Sequence, residues 1–232
     1  MNILKLSITI SALILANSSL ANARTKGNYF EISAINTSVR FKYDYQDSVK
    51  SVANNTSLGV KYSYAFNYKN LYIAPGIFYD HHNVTQNSPN HYLGNDGKFY
   101  DSGDRSRNFV NNYGIKLNIG YDTTYRFSTF VTLGYGNSRY LTGRHTFIAG
   151  TADERAESSY IVETYIAGLG AKYSLFKNID VLASYELGTA SAASADPNRE
   201  RYKKSFDDII KGDADMFPPE IRIARIGISY RF

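Results

Sequence analysis

The sequence predicts an all-β fold, an eight-stranded antiparallel up-and-down transmembrane β-barrel with short periplasmic turns and four long extracellular loops. Three observations predict it. Apolar and polar residues alternate with a period of two in segments of about ten residues, the length of a tilted strand that crosses a bilayer. The connections between these segments alternate between short and long. No stretch beyond residue 23 approaches 18 consecutive apolar residues, so a membrane crossing would have to use strands.

The N-terminal region predicts a cleaved signal peptide over residues 1–23. Lys5 precedes an apolar run over residues 6–16, and Ala21-Asn22-Ala23 is a small-x-small cleavage site. The apolar run is too short for a helix that spans a membrane. We therefore expect one barrel domain over residues 24–232 in an exported protein.

The composition excludes some kinds of chemistry and some classes of partner. With no Cys among 232 residues, the protein has neither disulfides nor thiol chemistry. The formal net charge of +5 is a mild basic excess, which suits an anionic surface and does not indicate nucleic acid. Aromatic residues make up 15% of the chain, with 21 Tyr and no Trp, and Tyr favours boundaries between apolar and wet surroundings.

The strands are predicted from period-two alternation, in chain order. The first begins with Phe30, Ile32 and Ala34 on one face. The strands that follow are predicted over residues 56–66, 71–79, 109–121, 127–135, 165–175, 179–187 and the closing segment IRIARIGISYRF at 221–232.

The connections predict which ends of the strands share a side of the membrane. The short connections have about three to five residues, as expected for periplasmic turns, and they alternate strictly with long ones. The long connections cover roughly residues 36–55, 80–108, 137–159 and 189–219. A soluble sandwich would not sort its connections in this way.

Soluble up-and-down barrels such as lipocalins also show period-two alternation, but their apolar face points inward. The face opposite the apolar one distinguishes the two classes. Here it combines Gly and Ser with six charged residues, which indicates a polar lumen and an apolar exterior. The six residues are Glu31, Lys61, Lys116, Lys172, Glu186 and Arg225.

Two interpretations of these lumen charges follow. An eight-stranded barrel is just wide enough for side chains to fill, and buried charges require partners. Four bases facing two carboxylates could form a structural ion network that plugs the barrel. The two bases left over could instead line a narrow, anion-favouring conduit.

The chain resembles the small eight-stranded outer-membrane barrels, the OmpA-like, OmpX-like and opacity-protein group. The resemblance rests on LYIAPGIFYD, YIAGLGAKYSLFKNIDVLASYELG and IRIARIGISYRF, and it covers residues 24–232. It implies that the terminal aromatic strand, with Tyr230 and Phe232, is the insertion signal that the outer-membrane assembly machinery recognises. Asn- and Tyr-rich connections are also similar to those of rickettsial surface adhesins of this fold. The group has no shared active-site motif to carry over.

The long connections are the predicted ligand-binding regions, because long loops in a compact fold are usually functional or disordered. The fourth has a basic and aromatic stretch at the spacing of a short amphipathic helix, which could steer and anchor acidic partners. The first contributes a further basic pair. The candidates are Arg199, Arg201, Tyr202, Lys203, Lys204 and Phe206, together with Arg40 and Lys42.

The sequence therefore predicts a surface adhesin in a Gram-negative outer membrane, with its loops at the cell surface. The expected partners are outer-membrane lipid and lipopolysaccharide, the assembly machinery, and a host extracellular protein or sulfated glycan, with the barrel a monomer. A structural barrel or narrow channel is the alternative, and a rim enzyme acting on lipid is the second alternative.

The enzymatic alternative would combine His81 and Asp80 with Ser102 or Ser106, with the histidine as general base to a serine. Nothing in their spacing is specific, and we expect no enzyme activity. His81, His82 and His91 could likewise be combined into a metal site, but adjacent residues on a strand point in opposite directions. We expect no metal and no cofactor.

Overall fold

The computed structural model of the chain describes residues 26–40, 52–93, 99–146, 154–195 and 220–232. The predicted signal peptide lies outside them. Within these ranges no helix is long and apolar enough to cross a membrane. The described residues form eight strands: β1 Gly27–Arg40, β2 Val52–Tyr68, β3 Leu71–Leu93, β4 Phe99–Asp122, β5 Phe127–Thr146, β6 Glu154–Ser174, β7 Ile179–Ala195 and β8 Glu220–Arg231.

The strands close into a barrel in chain order. Each pairs antiparallel with the next, and β8 pairs with β1 from Tyr29 opposite Arg231 to Arg40 opposite Glu220. Closure lets neighbouring strands satisfy each other's backbone groups without water, which a lipid environment requires. The predicted fold class, an eight-stranded antiparallel barrel, is confirmed.

The two ends of the barrel differ. Short turns join β2 to β3, β4 to β5 and β6 to β7 at one end, which we call the turn side. The start of β1 and the end of β8 also meet there, where the Asn28 N–H donates to the Phe232 backbone oxygen at 3.3 Å and the Phe232 N–H to the Asn28 carbonyl at 3.1 Å. The opposite end is the loop side, where connections 41–51, 94–98, 147–153 and 196–219 lie outside the described residues.

The barrel exterior carries an apolar band. Outward side chains of every strand are exposed and mostly Ile, Leu, Val, Phe or Tyr, such as Leu58, Ile77, Leu169 and Ile226. Tyrosines mark the loop-side edge of the band, where the rings of Tyr135 and Tyr165 lie 5.4 Å apart. So large an apolar surface is incompatible with water, and with aromatic girdles it is the exterior of a transmembrane barrel.

Several strands continue past their predicted loop-side ends. β3 is predicted over 71–79 and runs Leu71–Leu93, and its partner β4 begins at Phe99 rather than near Phe109. From His81 to Asn87 the outward residues of β3 are polar, so the apolar half of the alternation disappears there. Much of the sequence predicted as long connections is therefore strand that extends beyond the apolar band.

Beyond the apolar band, β2 and β3 separate. Their pairing ends on the loop side at Gly59 opposite Asp80. Past that point the Asn55 side-chain amide of β2 donates to the carbonyls of His82 and Asn83 of β3, at 3.2 and 2.9 Å. Asn83 has a positive φ of 49° within an irregularity of the β3–β4 pairing, so the wall bends there.

Candidate functional site

The middle of the barrel interior holds four charged side chains, which we call the central ion cluster. Arg225 of β8 donates to Asp80 of β3 from Nη2 to Oδ2 at 2.7 Å and from Nη1 to Oδ1 at 3.1 Å. Lys116 Nζ lies 2.8 Å from Glu186 Oε2 and 3.4 Å from Asp80 Oδ2. Arg225 Nε lies 3.4 Å from Glu186 Oε1. Each base thus contacts both carboxylates.

The central ion cluster is buried and balanced in charge. The four side chains are between 0 and 4% exposed. Charges removed from water in this way are tolerated only when they are paired and hydrogen-bonded. Lys116 Nζ also lies 4.2 Å from the centre of the Phe78 ring, and Arg225 Nη1 donates to Ser33 Oγ at 2.7 Å. The cluster links four strands across the lumen.

Two further ion pairs lie toward the turn side. Lys61 Nζ is 2.8 Å from Glu31 Oε2, and Lys172 Nζ is 3.6 Å from Asp180 Oδ2. Lys172 Nζ also lies 4.7 and 5.0 Å from the ring centres of two buried tyrosines, Tyr29 and Tyr72. Aromatic faces attract a cation, so this lysine is held by rings as well as by a carboxylate.

The loop-side part of the interior combines apolar side chains with buried polar ones such as Gln86, Arg107 and Asn112. A fully buried group closes it, which we call the apolar layer: Ile35, Val39, Val84, Phe109, Tyr140, Val162, Ile221 and Ile223. The His82 ring stacks on Phe109 at 4.3 Å and Phe109 on Tyr140 at 4.9 Å, while His82 Nδ1 lies 2.7 Å from Thr37 Oγ1. In the described part of the lumen, side chains therefore fill the apolar layer, the central ion cluster and the level of the turn-side ion pairs.

A glycine makes room for the central ion cluster. A Cβ at Gly59 would overlap Asp80 Oδ1 and lie 2.7 Å from Arg225 Nη1. Gly59 of β2 stands between these two residues in the wall, and only a residue without a side chain lets the guanidinium and the carboxylate meet. The close approach explains a glycine in a strand interior.

The structure places all six predicted lumen residues inside the barrel and adds carboxylates that the sequence analysis had not placed there. Asp80 is predicted in a loop and Asp180 next to a turn, yet both face the lumen and contact its bases. The two bases that the sequence left without partners thus have them. A conduit lined by free bases does not form in the described lumen.

Of the predicted loop-side ligand residues, the structure describes one, Arg40. Arg40 Nη1 lies 3.2 Å from Glu220 Oε2, and Glu220 also binds Arg222, Nη2 to Oε1 at 2.6 Å. This partly exposed group lies where β1 and β8 end on the loop side. The remaining candidates lie outside the described residues: Lys42, Arg199, Arg201, Tyr202, Lys203, Lys204 and Phe206.

The alternative sites built on histidine do not assemble from the described side chains. Asp80 faces the lumen and is occupied by two bases, while His81, the next residue, is exposed on the exterior. His82 is enclosed in the apolar layer. Within the described residues no group of three or more His, Cys, Asp or Glu side chains could hold a metal ion.

The predicted assembly signal lies on the exterior at the turn side. The Tyr230 and Phe232 rings are 49 and 61% exposed and stack at 6.2 Å. They extend the outward row of Ile226 and Ile228, so β8 presents aliphatic residues followed by aromatic ones. Recognition by the assembly machinery stays a prediction.

Comparisons with known proteins find likeness in fold alone. No protein-family model matches the sequence, and no curated protein gives a significant match. Among solved structures, Ail, the attachment invasion locus protein of Yersinia pestis, solved with the heparin analogue sucrose octasulfate, is 16% identical, with 89% of this chain and 99% of Ail covered and a TM-score of 0.45.

Two other solved structures are similar in the same way. Neisserial surface protein A is 12% identical, with 88% of this chain and 97% of that one covered and a TM-score of 0.40. The outer membrane protease OmpT of Escherichia coli is 9% identical, with 93% and 100% covered and a TM-score of 0.43. The resemblance to rickettsial adhesins is not tested by these matches and stays a prediction.

The closed barrel itself, with its apolar exterior band, short turns at one end and filled interior, has the architecture of the small outer-membrane β-barrel proteins. The chain has the fold of a closed, eight-stranded transmembrane β-barrel.

Proposed function

We propose that the protein is a surface adhesin, in which the barrel is a rigid support and the loop side binds a host extracellular protein or a sulfated glycan. The observation that carries the proposal is the length of the wall on one flank. β3, β4, β5 and β6 have 23, 24, 20 and 21 residues, whereas about 9–11 suffice to cross a bilayer. The surplus strand holds connections away from the membrane, which is where a partner would reach them.

The filled lumen supports display over transport. The central ion cluster pairs its bases with carboxylates, and the apolar layer fills the interior mainly with aliphatic and aromatic side chains. A conduit would have to displace both, at the cost of unpaired buried charges. The channel alternative is therefore the weaker one.

A basic cluster at the start of the fourth loop connection favours an anionic partner. Arg199, Arg201, Lys203 and Lys204 lie within six residues, with Tyr202 between them and Phe206 just after them, although residues 198–215 as a whole carry five bases and five carboxylates. Arginine with aromatic residues is the composition of binding hot spots, and clustered bases accelerate association with acidic partners. Ail, similar in fold, was solved with a sulfated heparin analogue. By this proposal residues 1–23 direct export and are removed.

The test is saturable binding of the folded, detergent-purified protein to immobilised heparin and to a panel of host extracellular proteins. One variant replaces residues 198–215 with a short Gly/Ser linker. A matched control replaces residues 147–153, FIAGTAD, a loop-side connection that contains no base. Heat-modifiable gel mobility verifies that each variant retains a folded barrel.

Binding by the intact protein that is lost in the first variant and kept in the control would support adhesion through the fourth connection. A point variant with Gln at the four basic positions separates charge from loop length. Absence of binding by the intact protein to every probe would contradict the proposal. Equal loss in the control would assign the effect to the loop side in general.

A further inference from the structure

The turn side of the barrel repeats a two-residue pattern at each hairpin. An aromatic residue is followed by a base at Tyr68-Lys69 in the β2–β3 turn, at Tyr125-Arg126 in the β4–β5 turn and at Phe176-Lys177 in the β6–β7 turn. Where β8 ends beside β1, Arg231 and Phe232 supply the same pair in reverse order. With one pair every two strands, these residues surround the barrel, and we call them the turn-side rim.

The aromatic members lie on the exterior. Tyr68, Tyr125, Phe176 and Phe232 are 72, 50, 69 and 61% exposed. They adjoin the apolar band, where amphipathic rings sit at the level of lipid headgroups. Lys69 Nζ lies 5.6 Å from the centre of the Tyr68 ring, and the Arg126 guanidinium lies 5.1 Å from the centre of the Tyr125 ring. The rim thus places each cation at headgroup depth.

Among the described residues, no side-chain carboxylate pairs with the bases of the rim. Lys69, Arg126, Lys177 and Arg231, with Lys26 beside them, form no ion pair with any described residue. Lys69, Arg126 and Lys177 are exposed.

The acidic residues of this end face the interior. Asp122 and Asp180 are 3 and 5% exposed, and they accept hydrogen bonds from Ser128 Oγ and Ser174 Oγ at 2.7 Å each. At this end the described exterior therefore carries bases, whereas the side-chain carboxylates lie in the lumen, where Glu31 pairs with Lys61 and Asp180 with Lys172.

The loop-side end is different. There the outward bases Arg40 and Arg222 share the carboxylate of Glu220, so opposite charges alternate on the exterior. Arg139, also on the loop-side exterior, forms no ion pair with a described residue and donates from Nε to Ser159 Oγ at 3.2 Å. The turn side differs because each of its three turns places an exposed base next to an exposed aromatic ring. A band of aromatic rings and bases at one membrane surface matches a lipid with a negatively charged headgroup.

We propose that the turn-side rim binds anionic phospholipids, with the phosphate of a lipid such as phosphatidylglycerol held by Lys69, Arg126 or Lys177 and its glycerol region against the neighbouring ring. The rim is one collar of equivalent sites, one at each turn, in the leaflet that borders the short turns. This inference does not depend on adhesion, which concerns the other end of the barrel.

The test is native mass spectrometry of the folded protein, titrated in detergent with phosphatidylglycerol and, separately, with zwitterionic phosphatidylethanolamine. The rim variant carries Lys69→Gln, Arg126→Gln and Lys177→Gln. Its matched control carries Arg40→Gln, Arg139→Gln and Arg222→Gln on the loop-side exterior, the same change in charge. A second rim variant, Lys69→Arg with Lys177→Arg, keeps the charge.

The intact protein, the loop-side control and the arginine variant are expected to bind phosphatidylglycerol in preference to phosphatidylethanolamine. The rim variant is expected to bind phosphatidylglycerol about fivefold more weakly per site, since one base near an anionic lipid contributes about that factor. The proposal is overturned if the rim variant binds phosphatidylglycerol as the intact protein does, or if the loop-side control loses as much. Heat-modifiable mobility verifies folding of each variant.

Discussion

Arg225 and Asp80 form a bidentate ion pair between two strands that are not neighbours, β8 and β3, with Nη2–Oδ2 and Nη1–Oδ1 distances of 2.7 and 3.1 Å. β1 and β2 separate these strands along the wall, so the pair spans a chord of the barrel. A parallel pair of hydrogen bonds fixes distance and orientation together. The pair therefore braces the wall against flattening.

Breaking this pair on one side should destabilise the barrel. Arg225→Met leaves Asp80 buried with Lys116 as its remaining base, and Asp80→Asn leaves Arg225 with Glu186. Each single change is expected to cost about 3–5 kcal/mol of unfolding free energy, and the double variant less than the sum. Urea unfolding in detergent micelles measures both. Arg222→Met, which removes an exposed base from the same strand, should cost below about 1 kcal/mol. Additive losses would show that the two side chains are not coupled.

Gly120 should not accept a side chain. A Cβ there would overlap the Tyr72 ring, which packs over this glycine inside the barrel. Gly120→Ala is expected to cost about 1–3 kcal/mol, as overpacking usually does. At Gly188 the nearest atom to a new Cβ is Ile221 Cβ at 3.3 Å, so Gly188→Ala is the milder control. Thermal unfolding compares the two, and equal midpoints would contradict the packing described.

The cost in stability of a charge on the exterior of β8 should depend on how deep in the membrane the charge lies. Ile226 is 67% exposed in the middle of the outward row of this strand. Ile226→Lys is expected to cost about 2–4 kcal/mol in a bilayer, and Ala224→Lys, nearer the loop-side interface, about 0–1 kcal/mol. Unfolding in lipid vesicles gives the values. The difference between the two costs should be smaller in water-rich detergent micelles. A larger cost for Ala224→Lys than for Ile226→Lys would contradict the position assigned to the apolar band.

The intact barrel should carry no steady ion current. The apolar layer blocks the loop-side interior, and its aromatic stack contains Phe109 and Tyr140. Phe109→Ala and Tyr140→Ala are each expected to cost about 3–5 kcal/mol, and the combined cavity should admit water. Planar-bilayer recording is the measurement, with discrete openings expected only in the double variant. A steady anion current through the intact protein would contradict this prediction and favour the channel interpretation of the lumen.

Phe232 should matter more for assembly than for stability. Its ring lies on the exterior and stacks on Tyr230 at 6.2 Å, at the turn-side edge of the band. Phe232→Ala is expected to lower the heat-modifiable, folded fraction in cell envelopes several-fold while the purified variant refolds in detergent at normal yield. Phe66→Ala removes an equally exposed ring from β2 and serves as the control. An equal assembly defect in both variants would argue against a special role for the terminal strand.

Period-two alternation predicts the membrane part of this barrel well, because lipid and lumen impose opposite demands on successive residues. For the same reason the side on which Lys116 and Glu186 lie follows from sequence alone. The alternation weakens once a strand leaves the band: outward positions such as His81 and Thr85 are polar there, as they would be in a loop. Asp80 falls at this boundary, so it was assigned to a connection and its pairing with Arg225 was missed.

Asp180 and His82 were missed for related reasons. Asp180 shares the inward face of the predicted strand 179–187 with Glu186, but a carboxylate directly after a turn is ordinary, so it was not counted among the lumen charges. Its pairing with Lys172 follows from the β6–β7 register. His82 is adjacent to another histidine, and the pair suggested an exposed polar segment. Its burial depends on the aromatic residues of β4 and β5, which are distant in sequence. Contacts of this kind follow from closure of the sheet and not from any local pattern.

The unequal strand lengths make the loop-side rim oblique. β3 continues from Tyr79 to Leu93, about 45 Å of strand, whereas β1 continues from Ala34 only to Arg40, about 20 Å. In the proposed adhesin, whose loop side faces the outside of the cell, an antibody would reach the tall flank first, and that flank would hinder its access to the short one. Immune selection would then act most strongly on the ends of β3 and β4, while segments attached to the short flank could keep an invariant function.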